Sequence, residues 1–277
     1  MSGKFDKRNT LNDLTGKEWL KLTKSFWFSE KCKDDKDAFQ HPAPFLIKDI
    51  EKLISLFTKK EMTVLDPFVG SGTTLIAASN LNRYGIGIDL NKNYKKLAIN
   101  RLNKLNFKEK IYYKYVIGDS FEIIEKISNI DYIVTSPPYH NILRNNGNGL
   151  REKKYNTCYN YRNGARIGVE YYSDKNNDLG NQNDYDSFLI LFGNIMNKAF
   201  HKLNNKKYCS IIISDFTINK KETCILGDIV KVMEGIGFEF SGTIVLLQDN
   251  KPLYPFGYPY AYKINHHHQN IINFRKC

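Results

Sequence analysis

The sequence predicts an α/β fold in which about seven strands form a mostly parallel sheet and the last two make a hairpin. Three observations carry that expectation. From Val64 onward, short apolar runs alternate with helix-length amphipathic stretches, the pattern of strand-helix units feeding a parallel sheet. Four successive strands end in polar or turn residues, and in open parallel sheets ligands bind in the crevice beyond such ends. The last two apolar runs are separated by a loop rich in Pro, Tyr and Gly, which suits a reversal.

The elements follow in order. Thr63-Val64-Leu65 is a short strand ending at Asp66-Pro67, and Thr73 to Leu81 is helix-like. Tyr84 to Ile88 is a second strand ending at Asp89, followed by a basic helix from Lys92 to Leu105. Tyr113 to Ile117 is a third, ending at Gly118-Asp119, with a short helix around Phe121 to Ile127. Asp131 to Val134 is a fourth, ending at Ser136-Pro137-Pro138-Tyr139. Between His140 and about Asp184 the periodicity stops and Asn, Gly, Tyr and Arg dominate, so this stretch reads as an insert. Tyr185 to Leu203 resumes helical spacing, and Tyr208 to Ile213 continues the sheet. Thr223 to Gly235 is a helix, Phe238 to Leu247 a strand, and Gln269 to Phe274 the last strand.

Composition narrows the classes. At 277 residues without an internal repeat, one α/β domain spanning 1–277 with an insert at 140–184 accounts for the chain. A hydrophobic content of 42%, with 13% aromatics, excludes a wholly disordered chain. No apolar run is long enough to span a membrane and Met1 to Asn12 is polar, so a cytoplasmic protein is expected. Cys32, Cys158, Cys209, Cys224 and Cys277 include no closely spaced pair, which points away from a disulfide framework and a zinc site. Lys and Arg number 41 against 29 Asp and Glu, and the resulting charge of +12 favours encounter with phosphate polyanions.

Asp66-Pro67-Phe68-Val69-Gly70-Ser71-Gly72-Thr73-Thr74 lies between a strand and a helix. Its glycines permit a tight turn and close approach to a ligand at a helix N-terminus. A phosphate loop is excluded because no Gly-Lys-Ser/Thr follows, and Leu75 stands where a dinucleotide fingerprint needs its third glycine. Asp89 can accept hydrogen bonds from both hydroxyls of a ribose, or cap the following helix. Asp119 can accept from an exocyclic amine, or close a turn. In Ser136-Pro137-Pro138-Tyr139 the prolines remove backbone donors and hold carbonyls rigidly. Those carbonyls and the Ser136 hydroxyl can accept from an amino group, while Tyr139 offers a face for a flat base.

These residues resemble the S-adenosylmethionine-dependent amino methyltransferases of DNA, which modify cytosine N4 or adenine N6. The glycine segment is similar to their cofactor motif and Ser136-Pro137-Pro138-Tyr139 to their catalytic motif. His41-Pro42-Ala43-Pro44-Phe45, with a helix from Ile47 to Phe57, is similar to the segment beside the methionine end of the cofactor. The resemblance covers Phe39 to Lys276, with the cofactor motif preceding the catalytic one, an order found in part of the family. It implies the Rossmann-like class I methyltransferase sheet of seven strands with its last strand reversed. It also implies S-adenosyl-L-methionine held by His41, Phe45, Asp66, Pro67, Phe68, Gly70, Ser71, Gly72, Thr73, Asp89 and Asp119, and catalysis at Ser136, Pro137, Pro138 and Tyr139.

Ser at the first position of the catalytic motif is commoner in the family for cytosine N4, and Asp or Asn for adenine N6, which remains the alternative. A neutral hydroxyl suffices, since methyl transfer from a sulfonium donor needs alignment more than a strong base. In the insert, Arg144, Arg151, Lys153, Lys154, Arg162 and Arg166 are interleaved with Tyr155, Tyr159 and Tyr161, the composition of a double-stranded DNA contact surface or of a solvated loop. Reaching an amino group in a duplex requires flipping the base out. Tyr254, Phe256, Tyr258 and Tyr260 suit either the DNA face or closure of the pocket. Only His266 and His268 of the triple histidine can share a strand face, and no acidic residue is near in sequence, so no metal is expected. The basic helix residues Lys92, Lys95, Lys96, Arg101 and Lys104 read as a solvated face. A companion restriction endonuclease fits the family, and RNA or small-amine methylation and a catalytically dead nucleic-acid-binding scaffold are the remaining rivals.

Overall fold

The computed structural model describes residues 5–140, 171–218, 221–249 and 251–277. The central sheet has eight strands rather than seven: β1 (Phe26–Phe28), β2 (Thr63–Asp66), β3 (Tyr84–Asp89), β4 (Tyr113–Ile117), β5 (Ile130–Thr135), β6 (Leu203–Ile213), β9 (Glu239–Leu247) and β10 (His268–Arg275). Their order is β1-β9-β10-β6-β5-β2-β3-β4. The expected strands are all present and parallel except β10, which runs against both neighbours. The addition is β1, paired parallel to β9 through Phe26↔Val245 to Phe28↔Leu247. It buries only Trp27, whose indole N–H donates to the Leu22 carbonyl, so three residues with one inward side chain give no period to read.

A second correction follows β6. Phe216–Ile218 (β7) and Lys221–Thr223 (β8) form a separate antiparallel hairpin, so Thr223 belongs to a strand. The helix expected from Thr223 begins at Ile225 instead.

Strict alternation along the strands builds two cores. Leu65, Ile133, Ile211, Ile213 and Ile272 face one side, while Val64, Tyr132, Val134, Ile212 and Ile271 face the other. α6 (Tyr185–Lys202) and α7 (Ile225–Ile236) cover the first side. α2 (Ile47–Phe57), α3 (Thr73–Asn80) and α4 (Lys92–Lys104) cover the second. α3 is buried almost all round and sits very close to the sheet: a Cβ on Gly85 would stand 3.2 Å from the Cα of Leu75. α1 (Gly16–Leu22) is a short capped helix at the periphery, and α5 (Ser120–Ile123) is one turn continued by a 3-10 turn from Ile124 to Lys126.

Because β10 is reversed, its start and the end of β9 lie at the same sheet edge as the carboxyl ends of β2 to β6. The Ser214 hydroxyl, just past β6, donates to the His268 carbonyl, and Leu247 pairs with His268. No helix among the described residues is long and apolar enough to cross a membrane.

Candidate cofactor and substrate site

The ends of β2, β3, β4 and β5 meet around one cavity of about 840 Å3, mouth included. Its lining contains His41, Phe45, Pro67, Phe68, Gly70, Ser71, Thr73, Asp89 and Asp119, together with Ser136, Pro137, Pro138 and Tyr139. Two residues expected there are not in the lining, Asp66 and Gly72.

Asp66 works from behind. It is 1% exposed, and its carboxylate accepts from the Phe68 N–H (3.0 Å), the Thr135 hydroxyl (2.6 Å) and the Thr74 hydroxyl (2.5 Å). One side chain thus bolts its own loop, β5 and α3 together. Burial pushes its carboxyl up to about 6, against the pull of those three donors.

Gly72 is a packing residue. It adopts φ +79 at the N-cap of α3, and a Cβ there would lie 2.7 Å from the Cβ of Ala98. Gly70 is the glycine at the cavity. With φ +47, its Cβ would lie 2.8 Å from Nε2 of His41, its N–H donates to Asp89 (2.9 Å), and its carbonyl accepts from the Tyr115 hydroxyl (2.9 Å).

Asp89 accepts from the Gly70 and Asn91 amides on opposite oxygens, 2.9 and 2.7 Å away. Burial pushes it up to about 7, with the carboxylates of Asp178 and Asp66 adding to the rise. His41 accepts the Ala43 N–H at Nδ1 and meets Tyr94 edge-on, ring centres 4.4 Å apart. Burial holds its pKa down at about 4, so it is neutral near pH 7. Asp119 closes the turn foreseen for it, one oxygen capping α5 at the Phe121 N–H, and its other oxygen accepts from the Asn177 amide at 2.5 Å in the cavity lining.

Tyr139 is a fixed wall. Its hydroxyl accepts from the Ser214 N–H (2.9 Å) and the Gln269 amide (3.3 Å), and its ring stacks on Phe216 at 5.5 Å and 13°. One face of the tyrosine is therefore already occupied.

α4 departs from the solvated face expected of it. Lys92, Lys96 and Lys104 are exposed, but Arg101 is 3% exposed and points inward. Its Nη1 donates to the Ser71 carbonyl (2.7 Å), the Ser71 hydroxyl (3.2 Å) and the Thr73 hydroxyl (2.9 Å). Lys95 is half-buried and donates to the Tyr115 carbonyl.

Residues that sequence reasoning missed are Tyr94, Tyr172, Asn177, Asp178 and Leu179, all in the lining. The last four come from the end of the insert, where the Tyr172 carbonyl accepts from Asn91 and Asp178 caps a short turn at Gly180. The Asp-Leu-Gly sequence was a turn signal, but nothing in it says which surface the turn meets.

Arg144, Arg151, Lys153, Lys154, Arg162 and Arg166 lie outside the described residues. Tyr254, Phe256, Tyr258 and Tyr260 are not in the cavity lining, and Tyr258 and Tyr260 are 79% and 95% exposed. His266 bonds Glu222 of β8, and among the described residues no group of three His, Cys, Asp or Glu is placed to hold a metal.

Residues 3–100 match the family model described as DNA methylase. The chain is 48% identical over 67 residues to type II methyltransferase M.HindIII of Haemophilus influenzae, a match covering 24% of this chain and 22% of that protein. It is 44% identical over 85 residues to type II methyltransferase M2.LlaDCHI of Lactococcus lactis subsp. cremoris, covering 30% and 32%. The matches thus span about a third or less of these relatives' length. Among solved structures, TrmN from Thermus thermophilus superposes with a TM-score of 0.54 at 15% identity over 88% of this chain and 52% of that one, a likeness of fold.

Proposed function

We propose, from the match of residues 3–100 to the family model described as DNA methylase and the partial likeness to type II methyltransferases, that this chain methylates an exocyclic amino nitrogen of DNA, cytosine N4 in the first place. The observation that carries the reading is one cavity lined on one side by Gly70, Asp89 and Asp119 and on another by Ser136 to Tyr139. A donor and an acceptor bound there meet without leaving the cavity.

The residues present suit S-adenosylmethionine. Asp89 is an acceptor held by two backbone amides, and the backbone at Gly70 leaves no room for a side chain beside His41. Bound there, the cofactor supplies an electrophilic methyl group on sulfur. Asp89 accepts from ribose hydroxyls, and Asp119 from an adenine amine in place of Asn177. Ser136 and the carbonyls beside its prolines accept both protons of the target amine, which turns the nitrogen lone pair out of the base plane. Tyr139, braced by Phe216 and Ser214, offers its remaining face to the extruded base.

The choice of cytosine N4 rests on Ser136. The insert, residues 140–184, then serves as the target-recognition region of a single domain, with its six basic residues on double-stranded DNA, and a partner nuclease would complete a restriction-modification pair.

The test incubates the protein with unmethylated genomic DNA and methyl-labelled S-adenosylmethionine, then identifies the labelled nucleoside by mass. N4-methylcytosine is expected, with label lost in Ser136→Ala. N6-methyladenine would keep the chemistry and overturn the base. Bound cofactor with no label in DNA would remove the DNA activity and bring RNA or a dead scaffold forward.

A further inference from the structure

Granting that the cavity takes S-adenosylmethionine, one buried cation, Arg101, forms no ion pair among the described residues. The Arg101 guanidinium donates only to neutral oxygens: the carbonyl and hydroxyl of Ser71, the hydroxyl of Thr73 and, at 3.4 Å, the Asp34 carbonyl. Its Nε is buried with no partner. The carboxylates of Asp35, Asp37 and Asp34 act on it only from a distance, and two of them are engaged elsewhere: Asp35 accepts from the Cys32 and Ile47 amides, and Asp37 from Lys104. A buried cation bonded only to neutral groups is costly unless an anion arrives.

The bonds also decide what the loop presents. Ser71 and Thr73 line the cavity, whereas Arg101 stands behind them. A hydroxyl that accepts from Nη1 has its own proton left to donate. Thr73 directs that proton to the Phe45 carbonyl at 3.4 Å, and Ser71 keeps its proton for the cavity apart from a distant contact with Thr73 at 3.5 Å. The N-terminus of α3 adds its positive end at the same place.

We propose that Arg101 is a positioning residue for the carboxylate end of the cofactor, acting through the Ser71 hydroxyl. It makes Ser71 a donor and sets a positive charge one hydroxyl behind the anion, while the adenosine end is held independently by Asp89 and Asp119.

The test is calorimetric and needs no turnover. Binding of S-adenosylhomocysteine is compared with binding of its decarboxylated analogue, which keeps the adenosine, thioether and amine. The wild-type protein is expected to prefer the carboxylate form by about tenfold or more. Arg101→Met keeps the packed stem, and should cut that preference to about twofold while leaving analogue affinity within about twofold. Arg101→Lys should recover part of the preference, and Ser71→Ala should lower it as Arg101→Met does. Equal weakening of both ligands in Arg101→Met, or an unchanged preference, overturns the proposal. If Arg101→Met does not fold, Arg101→Lys and Ser71→Ala decide on the same ratio. Wild-type protein that binds neither ligand refutes the cofactor reading itself, a result distinct from a binding protein without the preference.

Discussion

Gly72 and Ala98 approach so closely that a methyl group on the glycine would stand 2.7 Å from that of the alanine. The contact fixes where α4 lies on the glycine loop, and one turn further along the same face Arg101 reaches Ser71 and Thr73.

Gly72→Ala should therefore cost roughly 2–4 kcal/mol, from a left-handed backbone and an overpacked contact together. Ala98→Gly in the same chain relieves the contact but not the backbone, so the double variant should recover part of the loss beyond additivity. Thermal or denaturant unfolding of the four proteins measures this, and strict additivity would mean the contact is not limiting.

Asp89 gives a pH dependence with a definite sign. It keeps its proton to about pH 7 in the fold but to about 4 in an unfolded chain. The fold thus binds the extra proton between those values, and stability of the free protein falls as pH rises across them. Accepting from two ribose hydroxyls needs the ionised form, so affinity for S-adenosylhomocysteine should rise up to about tenfold from pH 6 to 8. Neutral His41 does not titrate in that window. A flat profile in Asp89→Asn, measured by calorimetry, assigns the effect; a slope persisting there would remove it from Asp89.

The phenol and the ring of Tyr139 should separate. Tyr139→Phe leaves the Ser214 N–H without its acceptor and should lower stability by about 1–2 kcal/mol, with under about tenfold loss in kcat/KM. Tyr139→Ala removes the wall and should lose about a hundredfold or more while cofactor binding stays near normal. Parallel methyl-transfer and binding assays distinguish the two.

Thr135→Val deletes one of three donors to Asp66. It should destabilise the fold by about 1–2 kcal/mol and raise the Asp66 carboxyl further, since that bond opposes the effect of burial. A stability difference between Thr135→Val and wild type that does not grow from pH 5 to neutral pH would contradict this.

Much of the architecture was legible because its signals are local. β2 to β5 each announce themselves by an apolar run closed by Asp, Gly or Pro, and α2 has the bounds that the resemblance implied. The cavity follows from those endings, since topology brings the carboxyl ends of parallel strands together. What escaped depends on contacts distant in sequence. The value of Gly72 lies in Ala98, 26 positions away, and α4 is so polar throughout that nothing marks Arg101 as its inward face. Tyr172 and Asn177 sit in a polar stretch without period, and their place against Asn91 and Asp119 is a property of the folded chain alone.

The single reversed strand, β10, has an architectural consequence. By bringing the connection back to the rim beside Tyr139, where Gln248 bonds Gln269 and Gln269 bonds Tyr139, it separates residues that build the cores from residues that do not. None of the described aromatic residues of that connection belongs to either core, so substitutions there are expected to reshape the rim and leave both cores intact.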